Sequence, residues 1–281
     1  MGPGHAHDAW RARLELEFEH TGERTILARR SHQGPLLVQR AFQPELSTAG
    51  PCHAYIIHPP GGVVSGDELS LIVRVAPNAR VLLTSAAAGK FYRSPDAARA
   101  GCLSQTFELD DGELEWLPFE NLYYPSAVAQ LHTRVDLTGE SRFIGWEIAC
   151  LGLPAQARGF EHGRVRQGIE LRHAGRALLL EQMRFDGESA NARWGLAGYP
   201  AFGSWLAYPA RAAELDQARG ASESWSAAGV TLAWTLVDRV LCGRGRARRA
   251  DRLRAAFIDV WCALRSSLLG RPPHRPRIWA T

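Results

Sequence analysis

The sequence predicts an all-β fold of many short strands with a helix near the C-terminus, and three observations carry that prediction. Apolar and polar residues alternate with period two through the first two thirds of the chain. Turn residues interrupt the alternation at short intervals. From about Arg248 the period lengthens to that of a helix. The chain has 281 residues, 46% hydrophobic and 22% charged, which is enough apolar material for a sizeable core and unlike a disordered chain. No linker or internal repeat divides it, so residues 1–281 read as one domain.

The first strand is expected where Leu14, Leu16 and Phe18 alternate with Glu15, Glu17 and Glu19, a pattern with one face toward a core. Further strands are expected at 36–40, 53–58, 69–75 and 80–84, then at 103–109, 113–117, 130–137 and 142–148, and finally at 164–172 and 176–183. Pro59-Pro60-Gly61-Gly62, Pro77-Asn78, Asp110-Asp111-Gly112, Thr138-Gly139 and Ala174-Gly175 supply turns between them. The alanine-rich, polar stretch 209–229 reads as helical or loop-like and precedes a last long strand at 230–241. Leu253, Phe257, Val260, Trp261, Leu264 and Leu268 then trace one helix face, which Gly270 and Pro272-Pro273 would end.

Charge and composition narrow the function. The 33 basic residues exceed the 29 acidic ones only slightly, and Lys90 is the one lysine. The only dense basic run, 244–254, lies at the start of the helix and carries no interleaved aromatics, so no nucleic-acid partner is expected. No apolar stretch approaches the ~20 residues that span a bilayer, and residues 1–10 lack the regions of a secretion signal. A cytoplasmic protein without a membrane partner is the expectation. Cys52, Cys102, Cys150, Cys242 and Cys262 are odd in number and scattered, so they read as reduced, mostly buried thiols rather than a disulfide framework or CxxC site.

Short catalytic motifs fail. A phosphate-binding loop at Gly89-Lys90 needs glycine where Thr84 stands and serine or threonine where Phe91 stands. Ser65 is flanked at two residues by Val63 and Asp67 rather than glycines, and no HExxH occurs. Among the ten histidines, His5 and His7 lie at a terminus, and His53 and His58 fall at opposite ends of one strand. Their spacing favours ordinary surface or hydrogen-bonded roles over shared metal coordination. The most unusual stretch is His58 to Leu69, with two prolines and three glycines. It reads either as a tight structural turn, with Asp67 bonding its backbone, or as a rigid loop that aims Asp67 and Glu68 as oxygen donors.

That stretch is one of several that occur together in a known order. It is followed by Val81-Leu82-Leu83-Thr84, Gly89-Lys90-Phe91-Tyr92-Arg93-Ser94, and Leu114-Glu115-Trp116-Leu117-Pro118 with Glu120. Gly145-Trp146-Glu147 with Cys150-Leu151-Gly152, Leu179-Leu180-Glu181, and Pro276-Arg277-Ile278-Trp279-Ala280-Thr281 complete the set. In this order, from about His58 to the last residue, they resemble the urease accessory protein D family, also called the H protein. Two departures are local. Ser85-Ala86-Ala87-Ala88 stands where the family has a proline-glycine turn, and Phe119-Glu120-Asn121 replaces its glutamate-threonine pair after Pro118.

The resemblance implies a β-helix-like stack of strands with about two helices, and no catalysis. It implies a urease maturation factor: a scaffold and nickel conduit that joins apo-urease to accessory protein F directly and, through F, to the GTPase G that delivers nickel. No cofactor is bound stably, and nickel(II) passes transiently. The resemblance puts Asp67, Glu147 and Glu181 in family motifs, and these carboxylates are the expected lining of the nickel path. Phe257, Trp261, Ile278 and Trp279 are expected to serve either the core or a docking surface. Two other readings stand beside this one: a passive docking scaffold that never touches metal, and an enzyme that uses Asp67, Glu68 and Lys90 in a cleft.

Overall fold

The computed structural model describes residues 9–45, 50–96 and 98–280, so His5 and His7 lie outside the described residues. The chain begins with β1 (Arg11–Thr21), β2 (Arg24–Gln33), β3 (Leu37–Val38), β4 (Cys52–Ile57), β5 (Glu68–Val75) and β6 (Arg80–Ser85). Next come β7 (Gly89–Phe91), β8 (Gly101–Asp110), β9 (Glu113–Trp116), β10 (Asn121–Tyr123), β11 (Val128–Thr138) and β12 (Arg142–Leu151). β13 (Arg164–His173) and β14 (Arg176–Asp186) lead through α1 (Gly187–Asn191) to β15 (Ala201–Tyr208) and α2 (Ala212–Ala227). The hairpin β16 (Val230–Val237) and β17 (Val240–Ala247) precedes α3 (Ala250–Leu269).

All the strands expected between 53 and 183 are present, and the C-terminal helix falls where its period placed it. The long strand expected at 230–241 is instead folded back at Asp238, whose φ of 52° makes the turn between β16 and β17. The stretch 209–229 is largely α2.

The topology explains why period-two alternation runs so far. One sheet has the order β14-β13-β11-β8-β5-β1-β2, and the other has β16-β17-β15-β12-β9-β6-β4-β3, with β10 and β7 attached beside β12. Within the first sheet β1, β5, β8, β11 and β13 are parallel; within the second β4, β6, β9 and β12 are parallel. The chain therefore passes from one sheet to the other at each turn of a coil, β5 to β6, β8 to β9, β11 to β12, and this is the β-helix-like stack. At one end the turns stack directly. The Asn78 amide donates to the Asp111 carbonyl at 2.9 Å, and the Asp111 amide to the Thr138 carbonyl at 3.3 Å. Asn78 and Asp111 take left-handed φ there, a conformation these short polar side chains tolerate.

Two cores result. Leu16, Phe18, Val73, Phe107, Val135 and Leu171 fill the space between the sheets. Trp146, Trp205, Phe257, Trp261 and Leu264 fill the space between the second sheet and the helices. β12 lies between both cores, and this is why Phe143 to Leu151 is apolar almost without alternation. Phe257 and Trp261 are fully buried, so the first of their two expected roles, core packing, is the one they fill here. Trp279, in a short helical turn at Arg277–Ala280, packs against Trp146 and Trp261 and donates its indole N–H to Thr84 Oγ1 at 3.1 Å. Ile278 is half-buried in the same turn.

A buried ionic clamp fixes α3 to the second sheet. Arg265 donates Nε to Glu115 Oε2 and Nη2 to Glu115 Oε1, both at 2.9 Å, and reaches Glu45 at 2.6 Å. Arg271 donates to Glu115 and Glu113 at 3.0 Å, and the Trp261 indole N–H donates to Glu115 Oε2 at 2.7 Å. Burial opposes ionisation of Glu115, yet the charges of Arg271 and Arg265 outweigh it and hold the carboxyl below its usual range. Among the described residues no helix is long and apolar enough to cross a membrane.

Candidate functional site

A cavity of about 190 Å³ opens between the sheets at the end opposite the stacked turns. The connections that follow β4, β6 and β9 form its rim, with His58, Gly61, Ala86 to Ala88 and Phe119 on the wall. Glycine is required at two places here. The Tyr92 ring fills the space that a Cβ at Gly62 would take, and the Asn121 side chain does the same at Gly89. Residues 85–88 and, from the next connection, Phe119 and Asn121 both contribute to this wall, and they are joined: the Phe119 amide donates to Ser85 Oγ at 2.9 Å.

Glu147 is the buried carboxylate of the cavity. Its Oε1 accepts three hydrogen bonds, from Gln105 Nε2 at 2.8 Å, Trp116 Nε1 at 3.0 Å and Thr133 Oγ1 at 3.0 Å. Among the described residues no hydrogen bond falls on Oε2. Burial raises the Glu147 pKa above the ordinary carboxylate value, against the opposing effect of those three donors. His58 also lines the cavity, and its Nε2 is buried without a hydrogen-bond partner. Burial lowers the His58 pKa and the nearby Asp67 charge opposes the shift, which favours the neutral imidazole, the form that ligates metals.

The register extends this polar site inward. Glu147 on β12 lies directly opposite Ser204 on β15, so their side chains share the face turned to the first sheet. Ser204 Oγ donates to Glu181 Oε1 at 3.0 Å, and Glu181 forms an ion pair with Arg244 on β17. Glu147, Ser204 and Glu181 are therefore consecutive polar groups between the layers, leading from the cavity toward the edge strand β14 and toward β17. The sequence separates these carboxylates by more than 30 residues, and strand pairing alone brings them together.

Asp67 is placed differently. Its Oδ1 accepts the Trp10 amide and its Oδ2 the Val64 amide, each at 2.9 Å, so both oxygens hold the chain around the glycine-rich turn. Glu68 points outward beside Arg11 at 3.5 Å, with most of its side chain exposed, while Lys90 lines the cavity. Asp67, Glu68 and Lys90 thus do not converge in one cleft. Among the described residues no three His, Cys, Asp or Glu side chains gather into a metal-binding cluster. Burial pushes the Cys52 and Cys242 thiols up to about 11 and Cys150 up to about 12, so none of these offers a thiolate near neutral pH. The residues the sequence did not single out are Gln105, Thr133 and Ser204, each an isolated polar side chain on an inward-facing strand position.

Comparison with known proteins shows the family to which the chain belongs. The family model described as UreD urease accessory protein matches residues 10–280. The urease accessory protein UreD of Alcanivorax borkumensis is 38% identical over 281 residues, covering 98% of this chain and 94% of that protein. Its counterpart in Klebsiella aerogenes is 38% identical over 273 residues, covering 97% of each chain, and that of Aliivibrio fischeri strain MJ11 is 37% identical over 281 residues. A match of this extent, over nearly the whole chain, makes the chain a member of the UreD urease accessory protein family.

Proposed function

We propose that the chain acts in urease maturation as a non-catalytic scaffold and nickel conduit in the cytoplasm. It binds accessory protein F directly and reaches the GTPase G through F, while apo-urease receives the metal. The observation that carries this reading is the run of polar groups from His58 and Glu147 through Ser204 to Glu181 between two largely apolar layers. Isolated polar groups in a dry core are costly, and a hydrated passage relieves that cost. Nickel(II) is the cargo, handed between oxygen and imidazole donors that, among the described residues, gather into no three-ligand cluster, a weak multi-site arrangement suited to transfer. The Arg244 charge on Glu181 acts as a gate that an arriving cation displaces. Asp67 serves the path indirectly, since a metal role for it would first require releasing two amide hydrogen bonds.

The test is Glu147→Gln and Glu181→Gln, purified with protein F and apo-urease and checked by size-exclusion chromatography. The expected result is an intact complex that yields urease with a lower nickel content at limiting nickel. Full activation at limiting nickel by both variants would refute the conduit and leave only the docking role.

A further inference from the structure

The arginine-rich run 244–254 has no part in the passage beyond Arg244, and the structure sorts its members sharply. Arg244 pairs with Glu181, Arg249 with Asp251, and Arg254 with Glu120, while Arg252 stacks on Trp225. Arg246 and Arg248 both stack on Tyr199, their guanidinium carbons 4.8 and 5.3 Å from the ring centre, and neither has a carboxylate partner among the described residues. Five residues before Tyr199 stands Trp194, 74% exposed and the most exposed large apolar side chain of the described residues.

Trp194 is not on a loose loop. Backbone hydrogen bonds from Gly195 to Ala192, Leu196 to Ser189, Ala197 to Ala192, Gly198 to Ala190 and Tyr199 to Leu196 close the segment after α1 into a compact unit. Gly195 packs so closely on the Ser189 carbonyl that no side chain fits there. An exposed indole carried on the same closed backbone unit as Tyr199, on which two arginines without a carboxylate partner among the described residues stack, is the composition of a binding hot spot, because aromatic groups lose little entropy and the arginines supply charge and directed donors. Of the acids of the same stretch, Asp186 caps α1 and pairs with Arg184, and Glu188, in the first turn of α1, makes no ion pair with Arg246 or Arg248.

We infer that Trp194, Tyr199, Arg246 and Arg248 form a docking surface for an acidic protein surface that offers a pocket to the indole. Charge complementarity selects this partner. The surface also lies near the Arg244 end of the passage, since Arg246 stands two residues beyond Arg244 on β17 and pairs with Phe202, two residues before Ser204. This assignment rests on the proposed function and adds to it where a metal-exchanging partner sits.

The experiment measures binding of the full chain to apo-urease and to protein F, each in turn, at about 0.05 and about 0.5 M NaCl. The variants are Trp194→Ala and the pair Arg246→Glu with Arg248→Glu, with Arg29→Glu on the far edge strand β2 as the charge-reversal control. Thermal melting confirms that each is folded. The expected result is a loss of about tenfold or more in affinity for at least one of the two proteins in both surface variants. That same interaction weakens with salt in the wild type, and Arg29→Glu binds normally. Folded surface variants that bind both proteins as tightly as the wild type overturn the docking surface alone. A wild type that binds neither protein overturns it together with the proposed function. Retention of a single-stranded oligonucleotide that the surface variants lose, with protein binding unchanged, also overturns it and marks a nucleic-acid face.

Discussion

Replacing Glu115 by alanine removes the acceptor at the centre of the clamp that holds α3 to the second sheet. The wild-type carboxylate receives the Trp261 indole, two nitrogens of Arg265 and one of Arg271. Arg265 is fully buried, so losing its partner strands a charge away from water. Removing one member of a buried pair costs about 3–5 kcal/mol. Here Arg265 keeps Glu45 and Arg271 keeps Glu113, which places the cost at the lower end, about 3 kcal/mol. For a chain of this size that is a fall in melting temperature of about 6–12 °C, read by tryptophan fluorescence at pH 7.

The pH dependence follows from the sign of the shift. Because the folded-state pKa of Glu115 is depressed, its contribution is fully present above the ordinary carboxylate range and is lost as pH falls through the folded value. The gap between wild type and Glu115→Ala should therefore narrow in acid. A variant melting within about 2 °C of the wild type at pH 7 would refute the clamp as a source of stability.

Three further outcomes are expected. Glu147→Gln keeps an oxygen for the three donors and removes a buried charge. Since the folded pKa of Glu147 is raised, its stabilising contribution is lost as pH rises through that value, so the variant should melt above the wild type at alkaline pH and equal it in acid; a lower melting temperature at pH 8 would contradict this. Asp67→Ala strands the Trp10 and Val64 amides and should cost about 2–3 kcal/mol with loss of complex, whereas unchanged melting with nickel-poor urease would instead give Asp67 a place on the path. Deleting residues 277–281 removes Trp279 from between Trp146 and Trp261 and should cost about 2–3 kcal/mol; normal yield and melting would show that the tail is dispensable.

The coil of strands was legible because each inward face alternates with a solvent face, and α3 because its apolar face repeats at helical spacing. Four strands gave no such signal. β2 lies at a sheet edge with most residues exposed, so Arg24 to Gln33 shows no apolar repeat. β7 and β10 have three residues each, too few for a period. β15 is buried on both faces, and its Gly203 and Ser204 interrupt what apolar run it has. The carboxylates Glu147 and Glu181 stood out through the family motifs, but their connection through Ser204 depends on the pairing of β12 with β15, which no local pattern encodes. The clamp was invisible for the same reason, since Glu115 and Arg265 are 150 residues apart.

The clamp and the cavity are not independent devices. Glu115 and Trp116 are consecutive on β9, a strand of four residues, and so point to opposite faces. Glu115 turns toward α3 and Trp116 toward the cavity, where its indole N–H holds Glu147. Thr84 on β6, the strand beside β9, makes a similar link: its hydroxyl donates to the Leu117 carbonyl behind the cavity wall and accepts the Trp279 indole from the tail. The helix and tail that cover the second sheet thus fix the aim of the groups on its other face. A short strand tied by charge on one side leaves little freedom for the donor on the other, and Glu147 keeps its orientation in a cavity whose open rim would otherwise permit many. Loss of the clamp should therefore reach the passage through Trp116, even though no residue of α3 lines it.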